Sequence, residues 1–339
     1  MKNHGKSDKK ISELVDQTVL EKISHKVVTD LEQLVSAIDV AEVSRLQIFH
    51  RLQFFQECGV EFEVLDPHYC QLRFPLDLLD TEKIRAGIPQ TVNSQISSIK
   101  RHHFAESTNS VLLEQPFEKQ HARICLAEYQ TAGRGRHGRH WLAPFASGLC
   151  VSLGWQFKSP ISQLQLISLL PAVALIRVLH KAGLAEASVK WPNDIICKGH
   201  KLAGVLIEIP TSTSDQQIVV IGVGVNVYNR SIMSEKILQP WTAINQHLKK
   251  PPSRNELVAM LITELFELLQ TVEKDGLAKI RNEWRRYDAL INTPVTLLNG
   301  KNKETGVSRG IGDDGSLCVE INGELRQFVS GEISLRPGN

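Results

Sequence analysis

Nine residues near the middle of the chain, Gly133-Arg-Gly-Arg-His-Gly-Arg-His-Trp141, restrict the fold more than any other segment. They hold three arginines, two histidines and three glycines, with no acid among them. Glycine lets backbone N–H groups approach a ligand closely. Arginine presents a forked donor suited to phosphate or carboxylate. The segment is therefore expected to be a loop that orders around an anion. Taken alone it also fits a basic surface loop or an arginine–glycine tract that binds RNA. Its surroundings argue otherwise: a strand pattern precedes it, and Trp141 to Leu149 leads straight into another.

At 339 residues the chain suits two or three domains. A composition 42% hydrophobic and 22% charged describes an ordinary soluble protein. The formal net charge of +2 gives no global sign of a nucleic-acid coat or a membrane-surface protein. The six cysteines, Cys58, Cys70, Cys125, Cys150, Cys197 and Cys318, include no C-x-x-C pair. Neither a disulfide framework nor a zinc site is expected, and apolar flanks point to buried thiols in a reducing cytoplasm. Residues 1–10 are polar and basic and lack the apolar run of a signal peptide. The stretch Leu164 to Leu179 is interrupted by Gln165, Ser168, Pro171 and Arg177, so it reads as a core helix and not as a membrane span.

Along the chain, Leu31, Leu34 and Ile38 recur at helical spacing, and so do Ile48, Leu52 and Phe55. Ser44 is placed to cap the second helix and Gly59 to end it. Val60–Leu65 and Tyr69–Phe74 read as a small hairpin, and the whole outlines a winged helix-turn-helix over residues 1–75. Residues 76–98 read as a linker carrying a short helix. From about Ile99 to 290 the texture is α/β, with strands expected at Ile124–Tyr129, Leu149–Phe157, Val189–Trp191, Ile195–Lys198, Lys201–Ile209 and Ile218–Val227. Helices are expected over Leu164–Ala182, from the capping-box pattern Ser253-Arg-Asn-Glu256 to Lys274, and over Leu277–Tyr287. Residues 291–339 read as a small all-β barrel, with strands at Val295–Leu298, Gly306–Ile311, Leu317–Ile321 and Leu325–Val329. Its turns fall at Gly300, Asp313-Asp-Gly315 and Asn322-Gly323.

Four further strings carry chemistry. In Lys190-Trp-Pro-Asn-Asp194 an ammonium stands at a strand end, where α/β folds place ligands, and Pro192 bends the chain. Lys201-Leu-Ala-Gly-Val-Leu-Ile-Glu208 and Gly222-Val-Gly-Val-Asn226 read as buried strands with small residues at a close approach. Ser107-Thr-Asn109, with Gln130 at the next strand end, supplies hydroxyls and amides able to satisfy a ureido group. Ser107 or Thr108 could equally serve as an N-cap.

In this order the strings resemble the biotin–protein ligase family, most closely its bifunctional bacterial ligase/repressor (BirA-type) members. The resemblance covers nearly the whole chain and is strongest from Ser107 to Val227. The tail Ser330-Gly-Glu-Ile-Ser-Leu-Arg336 resembles the family's C-terminal signature. It implies an α+β multidomain fold: a winged helix-turn-helix, a central class II synthetase-like domain with a mixed sheet, and an SH3-like barrel. It implies ATP-dependent activation of biotin as biotinyl-5′-adenylate, with Mg²⁺, and transfer to a lysine of a biotin carboxyl carrier protein. It further implies a homodimer, with biotin also acting as corepressor at operator DNA. Ser107, Thr108, Asn109 and Gln130 would hold the biotin head, and Arg134, Gly135 and Arg136 would lie in the loop that orders over it. Lys190 would sit at the reacting carboxylate and α-phosphate, with Arg136 beside it. Asn226, Trp241 and Arg336 would lie near the nucleotide. No protein metal site and no nucleophile of the enzyme's own are implied.

The N-terminal module departs from the pattern. Its turn, Asp39-Val-Ala-Glu-Val43, is about three residues too long and lacks a glycine, although Ser44-Arg45 matches the start of a recognition helix. Residues 1–75 hold nine Lys and Arg against twelve Asp and Glu, a net charge of −3. DNA affinity depends on neutralising phosphates, so the few bases would have to cluster, as Arg45, His50 and Arg51 beside Ser44 could, and as the Lys-rich N-terminal tail could. Two readings of the module stay open: a DNA reader or a retained structural appendage. Two other readings of the whole remain beside the ligase, a biotin-sensing repressor with little ligase activity and a lipoate-type acyl ligase.

Overall fold

The structure is a computed structural model. It describes residues 16, 19–20, 22–23, 29–30, 45–66, 69–116, 119–157, 164–210, 217–230, 237, 239–299, 302–329 and 334–337. The helix expected around Leu31–Ile38, the turn Asp39–Val43, Ser44 and Gly300 lie outside them.

The N-terminal region brings β1 (Thr29–Asp30), α1 (Arg45–Glu57), β2 (Phe62–Asp66) and β3 (Tyr69–Leu72) together, with strand order β1-β3-β2. Ile48, Leu52 and Phe55 are the buried face of α1, as their spacing implies, and Gly59 ends the helix at φ 95°. The next stretch is packed, not loose. α2 (Thr81–Ala86) is capped by Asp80, α3 (Gln90–Asn93) follows, and Leu79, Ile84, Ile88, Val92 and Ile96 enter the main core.

The central sheet runs β4 (Ser98–Ala105), β5 (Arg123–Gln130), β6 (Gly148–Phe157), β10 (Gln217–Asn226), β9 (His200–Glu208), β8 (Asp194–Cys197) and β7 (Ala187–Lys190) in spatial order. Helix α4 (Thr108–Leu113) lies between β4 and β5, which are parallel; every other neighbouring pair is antiparallel. After β6 come α5 (Leu164–Ile167) and α6 (Leu169–Lys181). A single helix was expected here. The break falls at Ser168 because Pro171 lacks an N–H and its ring crowds the carbonyl four residues back, that of Ile167. Strands β7 (Ala187–Lys190), β8 (Asp194–Cys197), β9 (His200–Glu208) and β10 (Gln217–Asn226) complete the sheet.

Helix α7 (Arg254–Asp275) opens on the expected capping box: Ser253 Oγ accepts from the Glu256 amide at 3.2 Å, and Glu256 accepts from the Ser253 amide at 2.7 Å. Arg254 is wholly buried. It donates to Glu128 on β5 at 2.7 Å, to the Gly148 carbonyl at 2.9 Å and to the Asp77 carbonyl at 2.6 Å. One guanidinium thus joins the connecting segment, two strands and a helix. Helix α8 (Ala278–Arg286) follows, then a five-stranded antiparallel sheet of β11 (Pro294–Asn299), β12 (Asn302–Ile311), β13 (Leu317–Ile321), β14 (Glu324–Phe328) and β15 (Ser334–Pro337). Asn322 and Gly323, both at positive φ, make the expected hairpin turn. β15, which pairs with β11, was not anticipated. The sheet is fastened to the central unit by Trp191 Nε1 donating to the Gly315 carbonyl at 3.1 Å. Among the described residues no helix is long and apolar enough to cross a membrane.

Candidate active site

The register of two adjacent strands builds the floor of the site. Leu149, Val151 and Leu153 of β6, with Ile221, Val223 and Val225 of β10, face α6 and α7 and belong to the main core. Strand side chains alternate faces, so the opposite face carries Ser152 paired with Gly222 and Cys150 paired with Gly224. These small residues leave room. A Cβ at Gly222 would lie 2.4 Å from Asn109 Oδ1, and one at Gly224 would lie 2.4 Å from the Trp141 ring. The space becomes a cavity of about 580 Å³.

Ser107, Thr108, Asn109, Gln130, Arg134, Gly135, Arg136, Lys190, Asn226 and Trp241 all line this one cavity. Ser107 holds the N-cap position of α4 but makes no capping bond with its side chain, against the simpler role open to it. Gln130 does that work from β5: its Oε1 accepts from the Thr108 amide at 2.8 Å and from Thr108 Oγ1 at 3.1 Å. Ser152 Oγ contacts Thr108 Oγ1 at 2.7 Å and donates to Asn109 Oδ1 at 2.6 Å. A buried row of hydroxyls and amides results, rigid and able to present both donors and acceptors.

Cations stand over the other part of the cavity. The glycine–arginine segment closes on itself, with the Gly135 amide bonded to the Arg139 carbonyl at 2.7 Å and a 3-10 turn at Arg136–Gly138. Burial pulls the Arg136 guanidinium below its usual range, and Asp194 works against that shift. Asp194 also accepts from Lys201 Nζ at 2.7 Å. Lys190 and Lys201 both line the cavity, and Lys201 lies 5.8 Å from the Trp141 ring centre. Lys201 and Asp194 belong to strings singled out in the sequence but given no role there. Their partnership depends on the pairing of β8 with β9, which no spacing reveals. Ser152 and Glu208 went unassigned for the same reason.

Asn226 donates to the Thr242 carbonyl at 3.1 Å, and Trp241 is hooked onto Lys201 by a backbone bridge. Arg336 lies on β15 opposite Thr296. Cys150 lines the cavity too, but burial pushes its thiol up to about 12, so it stays protonated and weakly nucleophilic at neutral pH. Outside the cavity, Glu186, Cys197 and His247 bring ligand-type atoms within 4.8 Å of one another. There Glu186 is ion-paired with Lys198, and His247 Nε2 bonds Thr242 Oγ1 at 2.7 Å.

The basic residues proposed for DNA lie elsewhere. Arg45 begins α1 and His50 is exposed on it. Arg51 is engaged by Asp16, its Nε and Nη2 each donating to the carboxylate at 2.6 Å, and it stacks 4.4 Å above the Phe54 ring.

Comparison with known proteins agrees with this geometry. The Biotin/lipoate A/B protein ligase family matches residues 102–226, and the Biotin protein ligase C terminal domain matches residues 290–336. The chain is 35% identical over 294 residues to the bifunctional ligase/repressor BirA of Escherichia coli, covering 87% of this chain and 89% of that one. It is 31% identical to the biotin–[acetyl-CoA-carboxylase] ligase of Mycobacterium tuberculosis, over 62% of this chain and 77% of the relative. Among solved structures, the biotin protein ligase of Aquifex aeolicus in complex with biotin and ATP aligns with a TM-score of 0.62 at 26% identity, over 72% of this chain and all of that one. With the cavity, its polar row and its cations already in place, these matches show that the chain belongs to the biotin protein ligase family.

Proposed function

We propose that the cavity binds biotin and ATP, joins them as biotinyl-5′-adenylate, and passes the biotinyl group to a lysine of a biotin carboxyl carrier protein. The observation that carries this reading is the meeting of the polar row Ser107–Thr108–Asn109–Gln130 with Arg136, Lys190 and Lys201 in one cavity.

A carboxylate is a poor acyl donor. In the first step a biotin carboxylate oxygen attacks the α-phosphorus of ATP and pyrophosphate leaves. Negative charge gathers on the α-phosphate oxygens, and preorganised cations stabilise it. Arg136, Lys190 and Lys201 are the groups for that task, with Asp194 holding Lys201 in place beforehand. Asn226, Trp241 and Arg336 are assigned to the nucleotide. Mg²⁺ takes oxygen ligands, and the Asp194 carboxylate and the Asn226 side-chain oxygen suit it. Bound with ATP, it would draw charge from the phosphates. In the second step the carrier's amine attacks the acyl carbon and AMP departs, its bond to the acyl group broken. The 133–141 loop keeps water from the adenylate until then.

The finer architecture is part of the same proposal: a winged helix-turn-helix over residues 1–75, a catalytic domain over 99–290 and an SH3-like barrel from 291. So are a cytoplasmic location and a homodimer. The ligase/repressor relatives favour a second role for the N-terminal module, biotin-dependent repression at an operator through Ser44, Arg45 and His50.

The test is incorporation of labelled biotin into a carrier domain with ATP and Mg²⁺, with lipoate as competitor. Biotin incorporation that lipoate does not suppress supports the reading. Preference for lipoate would move the substrate, and no incorporation beside tight biotin-dependent DNA binding would favour the repressor alone.

A further inference from the structure

Glu208, at the end of β9, is a carboxylate for which adenylation has no use. One of its oxygens, Oε2, accepts from Asn109 Nδ2 at 2.7 Å and from Arg134 Nη2 at 3.1 Å. The two donors differ in kind. Asn109 is buried and fixed: Ser152 donates to its Oδ1, and the missing side chain at Gly222 makes its berth. Arg134 belongs to the glycine-spaced loop, and its side chain is 42% exposed. Glu208 itself is 25% exposed, so its bond to the guanidinium is partly shielded from water and charge-assisted. The loop's backbone bonds run inward, from Gly135 to Arg139 and from Trp141 to Gly133. The Glu208 contact instead ties it outward, to the sheet.

We propose that Glu208 is a positioning residue that tethers the loop through Arg134, leaving Arg136 as the guanidinium the loop presents to the ligand. Arg134 is then an anchor and not a ligand contact. The consequence for catalysis rests on the ligase reading, but the tether is a property of the chain without ligand. Without it the floor, Asn109 and the lysines keep their places while the loop loosens, so the adenylate escapes before transfer.

Trypsin reports the tether directly, because it cuts after arginine and the loop holds Arg134, Arg136 and Arg139. The full chain without ligand is digested briefly and cleavage after Arg136 and Arg139 is followed by mass spectrometry. Glu208→Gln keeps an acceptor for Asn109 and removes the charge. It is expected to speed loop cleavage roughly tenfold, the loss of one charge-assisted bond, with an unchanged melting temperature. Arg134→Ala should do the same from the other side, and the double variant should add nothing further. With biotin and ATP, Glu208→Gln should release several times more adenylate to solution while the KM for biotin stays near that of the parent. Cleavage at the parental rate, or effects of the two substitutions that simply add, would overturn the tether. A parent chain that cuts slowly yet never biotinylates a carrier would leave the tether standing and remove the ligase reading.

Discussion

Asp194 sets the electrostatics of the site at the level of single residues. It is ion-paired with Lys201, and its charge opposes part of the downward pull of burial on Arg136. Removing Lys201 therefore does two things: it deletes a cation and leaves the Asp194 carboxylate without its ion-pair partner where phosphate charge must gather. Lys201→Ala is expected to lower pyrophosphate release by roughly 10²–10³-fold, the scale seen when one preorganised donor is lost. Lys190→Ala should abolish adenylation with the fold intact, since its ammonium is assigned to the reacting carboxylate and α-phosphate. A Lys201 variant that turns over normally would remove Lys201 from the adenylation step, and near-normal turnover of the Lys190 variant would refute the role given to Lys190. Arg136→Gly should form adenylate and lose it: biotinyl-AMP accumulates in solution while carrier modification falls, and retention equal to the parent would refute the loop's protective role.

Elements explain what was legible and what was not. β5, β6 and β7 to β10 read from the sequence because they are apolar runs bounded by turn residues, and the structure moves their ends by only a residue or two. β4 did not, because Lys100, Arg101, His102 and His103 give an edge strand no clean alternation. The recognition strings were legible as strings; their partnerships were not, since Ser152 meets Asn109 and Lys201 meets Asp194 only once the strand register exists. Asp288 is a cost of the same kind, hidden in the sequence and evident where α8 meets the C-terminal sheet. Its Oδ1 accepts from the Leu290 amide at 3.0 Å, while burial pushes the carboxyl up to about 6 from an ordinary value of 3.8. A group whose native pKa is raised favours the fold while protonated, and that contribution is lost as pH rises from about 4 through 6. Asp288→Asn keeps the acceptor and removes the charge. It should raise stability at pH 8 by about 1–3 kcal/mol and have little effect at pH 4, which melting curves at the two pH values would check. A gain of equal size at both would mean that charge is not the cause.

For the whole molecule the open question is how the N-terminal module relates to the catalytic sheet. They are not strung apart. Phe54 and Phe55 of α1 lie 5.1 and 5.9 Å from Phe104 of β4, measured between ring centres. Phe104 in turn lies 5.4 Å from Phe145 and 6.0 Å from Tyr129. Phe145, whose amide bonds the Cys58 carbonyl at 2.8 Å, stands three residues before β6, the strand that supplies Cys150 and Ser152 to the cavity. Arg51, spent on Asp16 and stacked on Phe54, seals the same aromatic group. Phe104 meets Phe54 and Phe55 on one side and Phe145 and Tyr129 on the other, so it carries much of the docking energy beside the Phe55–Phe145 pair at 5.4 Å; its truncation removes several aromatic contacts worth about 0.5–1.5 kcal/mol each, besides the buried area. Phe104→Ala is therefore expected to split one cooperative melting transition into two, the earlier belonging to residues 1–75, with scanning calorimetry as the measurement. Because Phe104 lies off the polar row, biotinyl-adenylate formation below the first transition should stay within roughly threefold of the parent, a change under 1 kcal/mol. A single transition lowered as a unit would mean that module and sheet share one core whose cooperativity does not depend on this ring. A large loss of adenylation with the module still docked would mean instead that the aromatic group shapes the start of β6, and through it the floor of the site.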